Sequence, residues 1–186
     1  LSSGLKKKHI DDRKNRIIQE VRDSIEIMNR AGANIDSLDQ LSMEKFDDYR
    51  SKLSLDQRKR CAFFISENER VKASRDALTA GNLAGFLEII NESQKNIKNR
   101  LEMVTEENEI LIDTIQDTDG VRAVRMLNMG ADGTVFFAVD RDKRLQAESK
   151  IKKTFITRTG IELSAEVFNL DVELEEFTID VSEFKK

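Results

Sequence analysis

Two apolar runs of helical period, separated by nothing but Gly81 and Asn82, constrain this chain more than any other feature. The first begins at Ser54, which forms a capping box with Gln57, and carries Cys61, Phe64, Ile65, Val71 and Leu78 up to Gly81. It predicts a helix of about seven turns, ended by a glycine that can take the left-handed conformation after a last turn. Asn82 offers a side-chain oxygen to cap the next helix, and Leu83, Phe86, Ile90, Ile97 and Leu101 then keep the period. So short a connection makes the second helix turn back along the first, and an antiparallel helical hairpin is expected.

The flanking segments follow the same rules. Upstream, Ile10, Ile17, Val21, Ile25 and Met28 recur at spacings of three, four and seven, which puts them on one face of a helix ending near Gly32. Asp36, Ser37, Asp39 and Ser42 then offer caps for short helices around Leu38, Leu41 and Phe46. Downstream, Thr105 with Glu106 and Glu107 opens a helix through Ile110, Leu111 and Ile115, its acids lying where the helix dipole favours them.

After Gly120 the period changes. Val121 to Leu127 and Thr134 to Val139 are rich in β-branched and aromatic residues and flank a glycine-bearing segment, so they predict two strands. Asp140 is expected to cap a helix that Gly160 stops near Thr159. Phe168, Leu170, Val172 and Leu174 alternate with polar residues as a half-buried strand does, and Phe177, Ile179 and Val181 alternate more weakly. The expected class is α+β, with helices packed on a mainly antiparallel sheet. A single domain over 1–186 is expected, mainly helical over 1–120 and β-β-α-β over 121–186, because this length suits one well-buried core.

Composition excludes several functions. The 31 basic residues nearly balance 35 acidic ones, for a net charge of -4, so no broad electrostatic footprint for nucleic acid is present. No run reaches the roughly 18 to 20 apolar residues of a membrane helix, and Leu1 to Lys8 lacks a secretory signal. Cys61 is the one cysteine, so no internal disulfide can form, which fits a cytoplasmic protein.

Single residues mostly have structural readings. His9, beside Lys6, Lys7 and Lys8, has no partner at metal-ligand spacing and reads as a solvated helix start. Cys61 lies on an apolar face and reads as a buried, inert thiol. Asn68 and Ser93 fall on or beside the apolar faces of the two hairpin helices, where hydrogen bonding between the helices is the first reading and a cleft-facing, substrate-side role the second. Gly130-Ala131-Asp132-Gly133 is by itself hairpin-turn chemistry. No metal site and no catalytic residue is identified.

Several strings carry more than their local structure. Glu67-Asn68-Glu69-Arg70-Val71, then Ala77-Leu78, Gly81-Asn82-Leu83 and Phe86, resemble the galactokinase run in which an E-N-x-R-V helix leads into A-L-x-x-G-D-L-x-x-F. Asn91-Glu92-Ser93 sits where that family has N-x-S-H, and Gly120 to Met126 is similar to its G-x-x-G-A-R-M strand. The resemblance runs from about Asn15 to Leu170. It implies the ferredoxin-like C-terminal domain of a galactokinase of the GHMP kinase superfamily, with extra helices.

In that family the strand leads into a glycine-rich phosphate loop, here Leu127, Asn128, Met129, Gly130, Ala131, Asp132 and Gly133. Leu127 stands for the family's threonine, while Asn128 and Asp132 stand for two of its glycines. Side chains at such positions obstruct the backbone N–H groups that approach an anion, and Asp132 adds a negative charge. Phe63 and Gln94 stand where the family has histidines, and Val104 to Glu109 replaces S-x-P-E-L-D. Nothing matches the N-terminal sugar-binding segment or the G-L-S-S-S-A loop, and Leu1 is not an initiator methionine.

The resemblance therefore implies a parent enzyme that transfers the γ-phosphoryl group of ATP to the anomeric hydroxyl of galactose with Mg²⁺, in a cleft completed by an N-terminal kinase domain absent from this chain. The degenerate loop Asn128 to Gly133, together with Asn68 and Ser93, would be this chain's share. The chain alone is expected to be inactive. A regulatory or binding module derived from the same fold, and a GHMP kinase of other specificity, are the alternatives.

Overall fold

The computed structural model describes residues 1–3, 10–127 and 133–167. Its order is α1 (Ile10–Arg30), α2 (Met43–Tyr49), α3 (Leu55–Thr79), α4 (Leu83–Asn96), α5 (Glu106–Gln116), β1 (Val121–Met126), β2 (Val135–Val139) and α6 (Arg144–Thr159). Short 3-10 turns at Leu38–Gln40, Arg50–Lys52 and Arg141–Lys143 join these, and a π turn over Ile97–Leu101 extends α4. The α+β class is as expected.

Local chemistry sets the ends of these elements. Ser54 Oγ accepts from Gln57 N–H while Gln57 Oε1 accepts from Ser54 N–H, closing the capping box of α3. Asn82 Oδ1 accepts from Gly85 N–H at the start of α4, and Thr105 Oγ1 accepts from Asn108 N–H at the start of α5. Gly160, at φ 73°, closes α6 with its N–H bonded to Ile156 O. Asp140 differs from expectation: its side chain caps nothing and instead takes both prongs of Arg122, at 2.9 and 2.8 Å, and a 3-10 turn precedes α6.

Helix α3 runs between two apolar clusters. Met28, Phe46, Leu53, Cys61 and Ile65 join α1, α2 and α3 on one side. On the other, Phe63, Leu101, Leu111, Ile115, Val124, Met126, Ile151 and Phe155 join α3, α5, α6 and the sheet. Arg60 to Phe63, Ile65 and Ser66 are therefore all buried, whichever way they point. The expectation that Phe64, Val71 and Leu78 share one buried face does not hold. Phe63 is buried and Phe64 half-buried, while Val71 and Leu78 are 68% and 41% exposed. The first half of α3 packs against both clusters, so it needs no single apolar stripe.

β1 and β2 pair antiparallel, with Val124 opposite Phe137 and Met126 opposite Val135. Leu1–Ser3 then lies along the other edge of β2. Val135 N–H donates to Leu1 O at 2.7 Å, Ser3 N–H donates to Gly133 O at 3.2 Å, and Ser2 exchanges two backbone bonds with Ser164 at 3.0 Å. The strand expected from Phe168 to Leu174 and the alternation at Phe177 to Val181 lie outside the described residues. No helix among the described residues is long and apolar enough to cross a membrane.

Candidate functional site

The antiparallel pair α3 and α4 meets β1 along its free edge. An edge strand leaves backbone groups unpaired, and here side-chain amides take them. Asn91 Nδ2 donates to Arg122 O at 2.9 Å, and its Oδ1 accepts from Val124 N–H at 3.1 Å. One turn on, Gln94 Oε1 accepts from Met126 N–H at 2.8 Å. Spaced three apart on α4, the two amides occupy the place of a neighbouring strand.

Between these amides sits Ser93, 3% exposed, at the centre of a polar cluster. Its hydroxyl donates to the Glu67 carboxylate at 2.9 Å and accepts from Arg125 Nε at 2.7 Å. Arg125 also reaches Glu67 Oε2 through Nη2 at 3.1 Å, and Arg70 donates to Glu67 Oε1 through Nε at 2.7 Å. Glu67 thus ties α3 to α4 and to β1. Its carboxylate accepts from two guanidinium groups and one hydroxyl, the charge-assisted geometry that gives the strong bonds of this kind.

Beyond Met126 the strand enters the predicted phosphate loop. Leu127 N–H donates to Thr134 O at 2.9 Å, which closes the stem. Asn128, Met129, Gly130, Ala131 and Asp132 lie outside the described residues. Gly133, at the far end, is buried at φ 67°, and a Cβ there would meet Ser3 Oγ, so glycine is required by both conformation and space. Asn68 is half-buried on α3, next to Glu67. Sequence reasoning singled out Asn68 and Ser93 but passed over Glu67, Arg125, Asn91 and Gln94 as working groups. The signal for the first two was present in Glu67 to Val71 and Gly120 to Met126, the strings that carry the family resemblance.

Electrostatically the neighbourhood is cationic. Burial lowers the Arg100 pKa first, and the charges of Arg70 and Arg50 lower it further. Cys61 has its thiol pKa raised by burial, which leaves it protonated and unreactive. Among the described residues no group of three His, Cys, Asp or Glu side chains could hold a metal ion.

No protein-family profile matches the chain. It is 32% identical over 127 residues to a galactokinase of Staphylococcus saprophyticus, covering 68% of this chain and 33% of that one. With a galactokinase of Clostridium perfringens it shares 28% over 155 residues, 83% of this chain and 40% of the other. Among solved structures, Lactococcus lactis galactokinase complexed with galactose superposes with a TM-score of 0.79 at 26% identity, over 87% of this chain and 42% of that chain. The chain thus spans 33% to 40% of the length of these two curated relatives.

Proposed function

This chain belongs to the galactokinase family as a homologue of its C-terminal domain, and from that premise we propose that it forms one wall of a sugar-kinase cleft. In the parent reaction the bond from the γ-phosphorus of ATP to its bridging oxygen breaks as the anomeric oxygen of galactose attacks. ADP leaves, and the hydroxyl proton passes to a base. Catalysis of this kind rests on positioning and on cations around the transferring group. On this reading the base and the Mg²⁺ site belong to the N-terminal domain.

The contribution of this chain is the segment Asn128 to Gly133, presented to the phosphates, with Asn68 at the cleft side. Ser93 works behind it, orienting Arg125 rather than touching substrate. One observation carries this reading: the stem of the loop is fixed, since Met126 is held by Gln94 and Arg125 by Ser93 and Glu67 within three residues of Asn128. A held stem serves a loop that must meet a ligand in one geometry. The compartment is taken to be the cytoplasm.

Alone, the 186-residue chain neither phosphorylates galactose nor binds ATP at micromolar concentration, because half a cleft cannot align donor and acceptor. Calorimetric titration with Mg-ATP, with and without galactose, tests this. Saturable micromolar binding, or galactose-dependent ADP release above a heat-killed control, overturns it.

A second reading, a non-catalytic module on the same fold, is favoured by Asn128 and Asp132, which stand where the resemblance implies glycine. A chimera carrying this chain in place of the C-terminal domain of the Lactococcus lactis enzyme separates the two. The cleft reading expects weak turnover that rises when Asn128→Gly and Asp132→Gly are introduced together. A folded chimera with no turnover in either form supports the module.

A further inference from the structure

We propose that Arg70 and Arg100 form a binding site for a small phosphate-class oxyanion, either inorganic phosphate or a phosphate monoester. The proposal goes beyond the kinase reading and does not rest on it, since it uses no residue of the segment Asn128 to Gly133.

The geometry is an unusual convergence of like charges. Arg70 Nη2 and Arg100 Nη1 both donate to Ser66 Oγ, at 2.9 and 3.2 Å. The hydroxyl sends its own proton back to Ala62 O or Phe63 O, so Ser66 offers both arginines an acceptor and no charge. Arg100 Nη1 has one further acceptor, Ala62 O at 2.9 Å, again neutral, and no carboxylate among the described residues pairs with it. Arg70 shares Glu67 with Arg125, one carboxylate for two guanidinium groups. The charge of Arg70 acts on Arg100, so the two guanidinium groups meet without a carboxylate between them at Ser66.

The backbone departs from regular geometry to bring Arg100 there. The last turn of the helix widens into the π turn Ile97–Leu101, and Glu102 follows in the left-handed region at φ 55°. Buried Arg60 then secures the bend by donating to Arg100 O. Departures of both kinds collect at functional positions. If this face had only to pack, an uncharged side chain at 100 would do so without facing Arg70. A phosphate dianion fits this arrangement, with oxygens for the open Nε and Nη2 donors of Arg100.

The test is titration of the 186-residue chain with sodium phosphate against sodium chloride at equal ionic strength and about pH 7.5, followed on the arginine Nε–Hε resonances. A parallel arm uses glycerol 3-phosphate. The expected result is a saturable, phosphate-specific shift of Arg70 and Arg100. Affinity should fall at least tenfold in Arg100→Gln and severalfold in Arg70→Gln. It should be unchanged in Arg75→Gln, an exposed arginine elsewhere on α3. At least tenfold tighter binding of the glycerol ester identifies a monoester as the ligand; equal affinity identifies phosphate itself. Shifts matched by chloride, or full affinity in Arg100→Gln, overturn the proposal. Should Arg100→Gln fail to fold, unaltered affinity in Arg70→Gln overturns it on its own.

Discussion

Replacing Glu67 by glutamine isolates the charge at the centre of the cluster while keeping its shape. In the wild-type protein the carboxylate takes bonds from Arg70, Arg125 and Ser93 at 2.7, 3.1 and 2.9 Å. The Glu67, Arg70 and Arg125 side chains are 17%, 14% and 28% exposed, which sets the scale of the loss. Exposed ion pairs contribute about 0 to 1 kcal/mol, whereas breaking a fully buried one costs about 3 to 5 kcal/mol. This cluster lies between those limits. Glutamine keeps one accepting oxygen but turns an NH₂ group toward a guanidinium, so Glu67→Gln should cost about 2 to 3 kcal/mol, in line with bonds to charged groups.

Urea unfolding followed by far-UV circular dichroism measures it. For a slope of about 2 kcal/mol/M the midpoint falls by about 1 to 1.5 M, with the slope itself unchanged. Combining Glu67→Gln with Arg125→Met should give a coupling of about 1 kcal/mol or more, because the two act on one bond. A loss below about 0.5 kcal/mol with no coupling would defeat the charge argument, since it would mean that solvent screens the cluster completely.

The phase of α3 is tested by a pair of truncations. Phe63→Ala should cost about 3 to 5 kcal/mol and Phe64→Ala about half as much, read from denaturation midpoints, and equal losses would contradict the unequal burial of the two rings. Acid should weaken the tie that Glu102 makes. The Glu102 carboxyl is held below its usual pKa first by the hydrogen bond from Lys59 and also by Arg60, so its contribution is present above about pH 4.5 and is lost as pH falls through the folded value. The Tm difference between wild type and Glu102→Gln should accordingly shrink on acidification from about pH 7, and a difference that stays constant removes the linkage.

What the sequence revealed of this fold, and what it concealed, divide by distance along the chain. Ser54 with Gln57, Asn82 with Gly85 and Thr105 with Asn108 are contacts three residues apart, so element ends could be read directly. The place of Leu1–Ser3 beside Gly133 and Val135 could not, because nothing local in Leu1-Ser2-Ser3 distinguishes a sheet strand from a loop. The phase of α3 was concealed for another reason: a helix with Arg60 to Phe63, Ile65 and Ser66 all buried shows no single stripe to read.

Gln94 combines both lessons. Read as a letter, it counts as a histidine lost from a site. In the fold, its Oε1 satisfies Met126 N–H on an edge that would otherwise lack a partner, a demand that exists whether or not any chemistry takes place. The stem and the loop of the candidate site therefore answer to different physics. The stem is held by hydrogen bonds that folding requires, whereas the role proposed for Asn128 to Gly133 would need contacts to a ligand. A substitution at Asn91, Ser93 or Gln94 will report on packing first, and any fall it causes in the turnover of the chimera is a consequence of a displaced strand. Changes at Asn128 and Asp132, which follow the stem in sequence and neither donate nor accept any of these bonds, test the proposed phosphate site apart from the stem.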